Sequence, residues 1–102
     1  MELDEYQRLA SKTLKPECNR LDYLLSGMFE EIGELAGKYK RKIRGDGVID
    51  ESWLFEGGDI LWYLSQFFDH LGVPLSKIAQ MNLDKLQDRQ ARGVIAGSGD
   101  KR

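Results

Sequence analysis

Only one cysteine is present, Cys18, so no intramolecular disulfide can close and no thiolate cluster can hold zinc. A reducing compartment suits such a chain, and a cytoplasmic location is the expectation. Histidine is equally scarce, and the lone His70 cannot supply the paired Glu-x-x-His ligands of a ferritin-like di-iron site. The two prolines, Pro16 and Pro74, both fall outside the amphipathic runs, so neither breaks a helix. No apolar run approaches the ~20 residues that span a bilayer. The N-terminal MELDEYQR is acidic and polar where a signal peptide is basic and then apolar. A chain neither exported nor membrane-embedded is expected. Charge of one sign is lacking too: 15 Lys and Arg against 17 Asp and Glu leave a formal net charge of -2. No global field draws the chain onto nucleic acid or an anionic membrane, so any phosphate binding must be local.

What is present is the balance of a folded soluble domain. Hydrophobic residues make up 41% and charged residues 31%, too apolar for disorder, and the length suits a single domain over residues 1–102. Apolar residues recur at three and four, the helical period, so the chain reads as all-α, a four-helix bundle with short connections. The first helix is predicted over about residues 2 to 15, with Leu3, Tyr6, Ala10 and Leu14 on one face, ending before Pro16. Asn19 offers a cap for the second, whose stripe of Leu21, Leu25, Met28, Ile32, Leu35, Tyr39 and Ile43 runs toward the RGDG turn. Asp50 is the expected cap of the third, which reaches about Leu71 and is closed by Gly72 and Pro74. The fourth spans about Pro74 to Arg92, with Leu75, Ile78, Ala79 and Leu86 inward, and stops at Gly93; VIAGSGDKR follows as a glycine-containing tail. The third helix carries two apolar faces, Trp53, Ile60, Leu64, Phe67 and Leu71 on one, Leu54, Leu61 and Phe68 about 100 degrees away. One short chain cannot easily bury both, so a homodimer or homotetramer is expected.

Several polar residues occupy costly positions on these helices. Glu31 and Glu34 are three apart on the second, which sets their Cβ atoms ~5–6 Å apart, and Glu30 adjoins them. Glu56 and Asp59 repeat the spacing on the third, and Glu56 falls inside the Trp53 stripe, where an ionised carboxylate is expensive unless a cation or donors meet it. Two such pairs on antiparallel helices can converge, and a divalent metal makes the gathered charge tolerable. All-oxygen ligands with no usable His or Cys favour Mg2+, or Mn2+, over zinc. Gly33, Gly37, Gly57 and Gly58 bracket the carboxylates although each weakens its helix by ~1 kcal/mol relative to alanine; they admit close packing or a ligand against the backbone. On the fourth helix Asn82 shares the inner stripe and Lys85 lies one turn on, an amide and an ammonium suited to phosphate oxygens. Lys38 and Arg41 share the face of Glu34 and can offset the charge of a triphosphate. Ordinary readings compete. Glu34 and Lys38 are spaced as a common i, i+4 ion pair, the basic run and His70 suit helix C-termini, and Asn82 can fix helix register. Trp53 and Trp62, at helical spacing, serve core or interface before base stacking.

The stretches FEEIGELAGKYKR, FEGGDILWYLSQ and NLDKLQDRQARGVIAGSGDKR resemble the MazG-like nucleotide pyrophosphohydrolases, and the likeness runs from about Tyr6 to Arg102. The family's EExxE and ExxD motifs read here as Glu30, Glu31 and Glu34, then Glu56 and Asp59. The resemblance implies an all-α fold in which Glu31, Glu34, Glu56 and Asp59 bind magnesium and Glu30 is a fifth acidic member. It implies attack of water on the α-phosphate of a nucleoside triphosphate, releasing a monophosphate and pyrophosphate, at a site completed by oligomerisation. Asn82 and Lys85 match positions that contact the phosphates or nucleotide. Tandem-domain members differ from this single domain, so their substrate preferences do not carry over. The expected function is a magnesium-dependent nucleoside triphosphate pyrophosphohydrolase serving nucleotide-pool housecleaning. Glu30 or Glu34 takes the proton of water, while Lys38, Arg41, Lys85 and Arg89 offset charge on the polyphosphate. The rival from another class is a non-catalytic helical dimerisation or partner-binding module that uses the surplus apolar face. Metal-dependent hydrolysis of a different diphosphate is a third reading.

Overall fold

The computed structural model describes Met1–Arg102 throughout and is all helical, with no strand. Helix α1 spans Leu3–Ser11, a single 3-10 turn covers Pro16–Cys18, and α2 (Leu21–Arg44), α3 (Glu51–His70) and α4 (Leu75–Ala91) follow. The first helix is shorter than its apolar period predicts. The Ser11 hydroxyl donates to the Arg8 carbonyl at 2.6 Å and the Thr13 hydroxyl to the Ala10 carbonyl at 2.7 Å. These side chains satisfy end carbonyls that a further turn would otherwise occupy. Asn19 is not the cap of α2: that position belongs to Arg20, which makes no side-chain cap bond, and the Asn19 amide oxygen faces His70 Nδ1 at 2.7 Å instead. Asp50 does cap α3, accepting from the Ser52 backbone N–H at 2.9 Å.

Helix α3 sits at the centre, with α2 packed along it, α1 against it, and α4 against α1 and α3. The arrangement is bundle-like and open on the side where α2 meets α3 alone. The α2 face that meets α3 keeps only Met28 and Leu35 of the predicted stripe. Leu24, Gly27, Met28, Glu31, Leu35 and Lys38 turn inward, while Leu21, Leu25, Ile32, Tyr39 and Ile43 remain between 37% and 70% exposed. Gly27 explains the rotation. The Tyr63 ring of α3 lies directly on its backbone, where any Cβ would overlap the ring, so α3 is drawn onto the Gly27 face and away from the Leu25 face.

A buried amide joins the other helices. The Gln7 side chain donates to the carbonyls of Ser65 (3.0 Å) and Val73 (3.1 Å) and accepts from the Leu75 N–H at 3.0 Å, while Gln66 donates back to the Gln7 carbonyl at 3.2 Å. One residue of α1 thereby fixes α3 and the start of α4. Asp4 caps α4 across the chain, accepting from the Ser76 N–H (2.8 Å) and hydroxyl (2.6 Å). Apolar burial is slight: only Ala10, Leu24 and Leu75 are buried hydrophobics, and only Leu24 is fully so. No helix is long and apolar enough to cross a membrane.

Candidate functional site

Glu31 points from α2 toward α3, and Glu56 from α3 toward α2, because each lies on the face that meets the other helix. Glu31, Glu56 and Asp59 offer carboxylate oxygens within 4.8 Å of one another, and Glu30, Glu31 and Glu34 form a second such group. Glu31 belongs to both, so all five carboxylates make one continuous cluster. Glu30, Glu34 and Asp59 are exposed, whereas Glu31 is half-buried and the Glu56 side chain is 13% exposed. One oxygen of each inner carboxylate, Glu31 Oε2 and Glu56 Oε2, is fully enclosed and has no hydrogen-bond partner.

The electrostatics follow from this crowding. Desolvation, then the neighbouring Glu56 carboxyl, then the charges of Glu34, Asp59 and Glu56 push Glu31 up from 4.5 to about 7. Two carboxylates cannot hydrogen-bond each other unless one keeps a proton, so the Glu31–Glu56 contact favours the protonated form. The nearest cation is Lys38, whose ammonium lies 3.8 Å from Glu56 Oε1 and donates to the Ser52 hydroxyl at 3.2 Å. Lys38 therefore turns to α3 rather than pairing with Glu34 along its own helix. One ammonium does not balance five carboxylates. Enclosed oxygens without partners, in an all-oxygen donor set, are what a hard divalent cation satisfies.

Beside the cluster lies a cleft of about 370 Å³ lined by Glu30, Gly33, Glu34, Gly37, Lys38, Arg41 and Glu56. Arg41 makes no ion pair. A Cβ at Gly33, Gly57 or Gly58 would meet nothing within 4 Å, so these glycines leave room instead of admitting close packing; the close packing occurs at Gly27. Two further neighbours escaped the sequence pattern. Ser52 holds Lys38 in place, and the half-buried Tyr6 phenol is pushed up first by burial and then by the charge of Asp59. Ser52 follows the cap Asp50 closely enough to have been noticed; nothing in the spacing flags Tyr6. Trp53 and Trp62 act structurally, their indole N–H groups donating to the Val48 carbonyl (3.1 Å) and the Thr13 hydroxyl (2.8 Å).

Asn82, Lys85 and Arg89 are placed elsewhere. Asn82 and Lys85 line a second cavity of about 610 Å³ with Phe68, Val73, Lys77, Ile78, Met81 and Asp100. Phe68 is about ten residues along α3 from the acidic pair, roughly 15 Å of helix, so within one chain the α4 residues and the cluster do not share a cavity. Asn82 and Leu86 are exposed rather than inward. The nine-residue α1 is too short to cover the 17 residues of α4, and the buried position in the last turn is taken by Arg89.

Among known proteins the chain is similar to Gene 37 protein of Mycobacterium phage L5, 42% identical over a 114-residue alignment that covers the whole of both chains. No protein-family model and no solved structure matches it.

Proposed function

The chain belongs to the same family as Gene 37 protein of Mycobacterium phage L5, and we propose that it is a MazG-like, magnesium-dependent nucleoside triphosphate pyrophosphohydrolase that releases a monophosphate and pyrophosphate. The observation that carries this reading is the pair of enclosed, unpartnered oxygens, Glu31 Oε2 and Glu56 Oε2, in a group with Asp59. Carboxylate oxygens closed off from water without a partner are costly, and a hard cation would remove the cost. Glu31, Glu34, Glu56 and Asp59 would hold it. Magnesium bound there supplies Lewis-acid polarisation of the polyphosphate and offsets its charge.

The remaining steps belong to side chains. In this reading Glu34, exposed beside Glu30, accepts the proton of the attacking water, with Glu30 as its neighbour in that role. Lys38, tethered by Ser52, and the unpaired Arg41 face the cleft and offset charge as pyrophosphate leaves. Gly33 leaves the α2 wall bare, so a phosphate chain can lie against it. In this reading the assembly is a homodimer or homotetramer, supported by the apolar stripe left exposed on α2. A neighbouring copy then brings Asn82, Lys85 and Arg89 to a cluster that they do not reach within one chain. A cytoplasmic, housecleaning role goes with this chemistry.

The second reading, a non-catalytic dimerisation or partner-binding module, is favoured by the same exposed stripe. Incubation of a panel of nucleoside triphosphates with the protein and magnesium separates the two, with monophosphate and pyrophosphate assayed together. Equal release of both products is expected, and Glu34→Ala or Asp59→Ala should abolish it with circular dichroism unchanged. Full activity in either variant defeats the assignment. Orthophosphate release points to a different diphosphate substrate, and no product with no magnesium stabilisation points to the binding module.

A further inference from the structure

Arg89 is the one charged side chain in the buried set, 5% exposed. A guanidinium removed from water needs anionic or carbonyl partners, and both of its partners come from the tail beyond α4. Its Nη2 donates to the Gly99 carbonyl at 3.1 Å and lies 3.5 Å from Asp100 Oδ1. The same Asp100 oxygen accepts from Lys85 Nζ at 2.9 Å. Asp100 itself is 83% exposed, so a solvated carboxylate sits on two cations, one of which, Lys85, lines the 610 Å³ cavity together with Asp100 while Arg89 lies buried behind it.

The tail is tied down by polar bonds. Arg102 donates to the carbonyls of Val94 (3.0 Å), Ile95 (2.6 Å) and Gly99 (2.7 Å), and Arg92 donates to the Arg102 carbonyl at 2.6 Å. Gly97 and Gly99 have φ of +139° and +85°, which let the backbone reverse. Apolar anchoring is slight, since Ile95 is exposed and only Val94 is half-buried. Few apolar contacts therefore hold the segment to the helices, the kind of anchoring that low-energy local opening releases.

We propose that the tail from Gly93 to Arg102 is a strap guarding an anion seat: Asp100 occupies the Lys85–Arg89 pair in the place of a phosphate group, and a phosphate-bearing ligand entering the adjoining cavity displaces it. The inference deepens the pyrophosphohydrolase reading, on which the identification of that ligand as a nucleotide polyphosphate rests. A single carboxylate offers one charge and two oxygens, whereas a diphosphate brings more of both and so outcompetes it at two cations. The strap thereby selects against weakly charged ligands.

The test is calorimetric titration of inorganic pyrophosphate onto the full chain in EDTA, where the acidic cluster holds no metal. Asp100→Asn, a neutral isostere at an exposed position, should bind pyrophosphate about twofold to tenfold more tightly than the parent. Arg102→Gln, which loosens the strap without touching the seat, should tighten binding as well. Lys85→Met combined with Asp100→Asn should cancel the gain, placing the anion on α4. Unchanged or weaker binding in Asp100→Asn overturns the strap. Tighter binding in that variant, with no nucleotide hydrolysed by the parent, leaves the strap standing and removes the pyrophosphohydrolase reading.

Discussion

Glu31 illustrates how much a single position can carry. It lies in both carboxylate groups, has an enclosed oxygen without a partner, and ionises only near pH 7. Replacing it with Gln removes one like charge and gives Glu56 an N–H donor. In metal-free buffer at pH 7 the variant should be more stable by on the order of 1 kcal/mol, after allowing for solvent screening of a cluster with exposed members. The urea midpoint reads this. The same variant should lose the rise in melting temperature that magnesium gives the parent; a less stable Glu31→Gln in EDTA would sink the crowding argument. The carboxylates were legible in the sequence because i, i+3 spacing on a helix is fixed by geometry alone, and Glu56 stood out on an apolar stripe. Tyr6 was not, because its approach to Asp59 depends on how α1 crosses α3. Asn82 misled for the opposite reason: its period places it inward, but the neighbouring helix is too short to cover it.

At the scale of elements, local chemistry set most boundaries and long-range contacts set the rest. Gly45, Gly72 and Gly93 all take positive φ at the ends of α2, α3 and α4, as the terminal glycines foretold, and Asp50 caps α3. The Ser52 hydroxyl first, and then its backbone N–H, hold the Asp50 carboxyl below its ordinary 3.8. Because the folded value is the lower one, the cap's contribution is fully present above the unfolded value and is lost as pH falls through the folded value. Asp50→Asn keeps a side-chain acceptor but removes the titration. Thermal melts followed by circular dichroism between about pH 2 and 6 should show the parent losing more stability than the variant at the acidic end; parallel curves would remove Asp50 from the acid response. The cap on α4 could not be foreseen, since Asp4 and Ser76 lie 72 residues apart. Nor could the face of α2, which depends on one ring, Tyr63, lying on one glycine.

The whole molecule is larger than its mass requires. Its radius of gyration is 16.5 Å, against about 13 Å for a compact domain of this length. Its accessible area is 7413 Å², roughly 1,500 Å² above the expectation for a monomer of this mass. Only three hydrophobic residues are buried, a small core for a chain of this length, and under the proposed reading a second copy adds to it. The missing burial has an address: Leu21, Leu25, Phe29, Ile32, Tyr39 and Ile43 face outward along α2, with Phe29 66% exposed, and Leu54 and Phe55 do the same on α3. The whole-molecule excess is comparable in size with what one partner contributes to an obligate interface. Phe29→Glu places a charge in the middle of the stripe, where burial against a second copy would leave it unpaired. Sedimentation equilibrium should find the parent at two or four times 11.7 kDa and the variant at half the parent's mass or less, with a lower melting temperature. The parent's melting temperature should also rise with protein concentration, because association stabilises only the folded chain. A parent that sediments as one copy and unfolds cooperatively at a concentration-independent temperature would mean that the exposed stripe is covered by something other than a second copy.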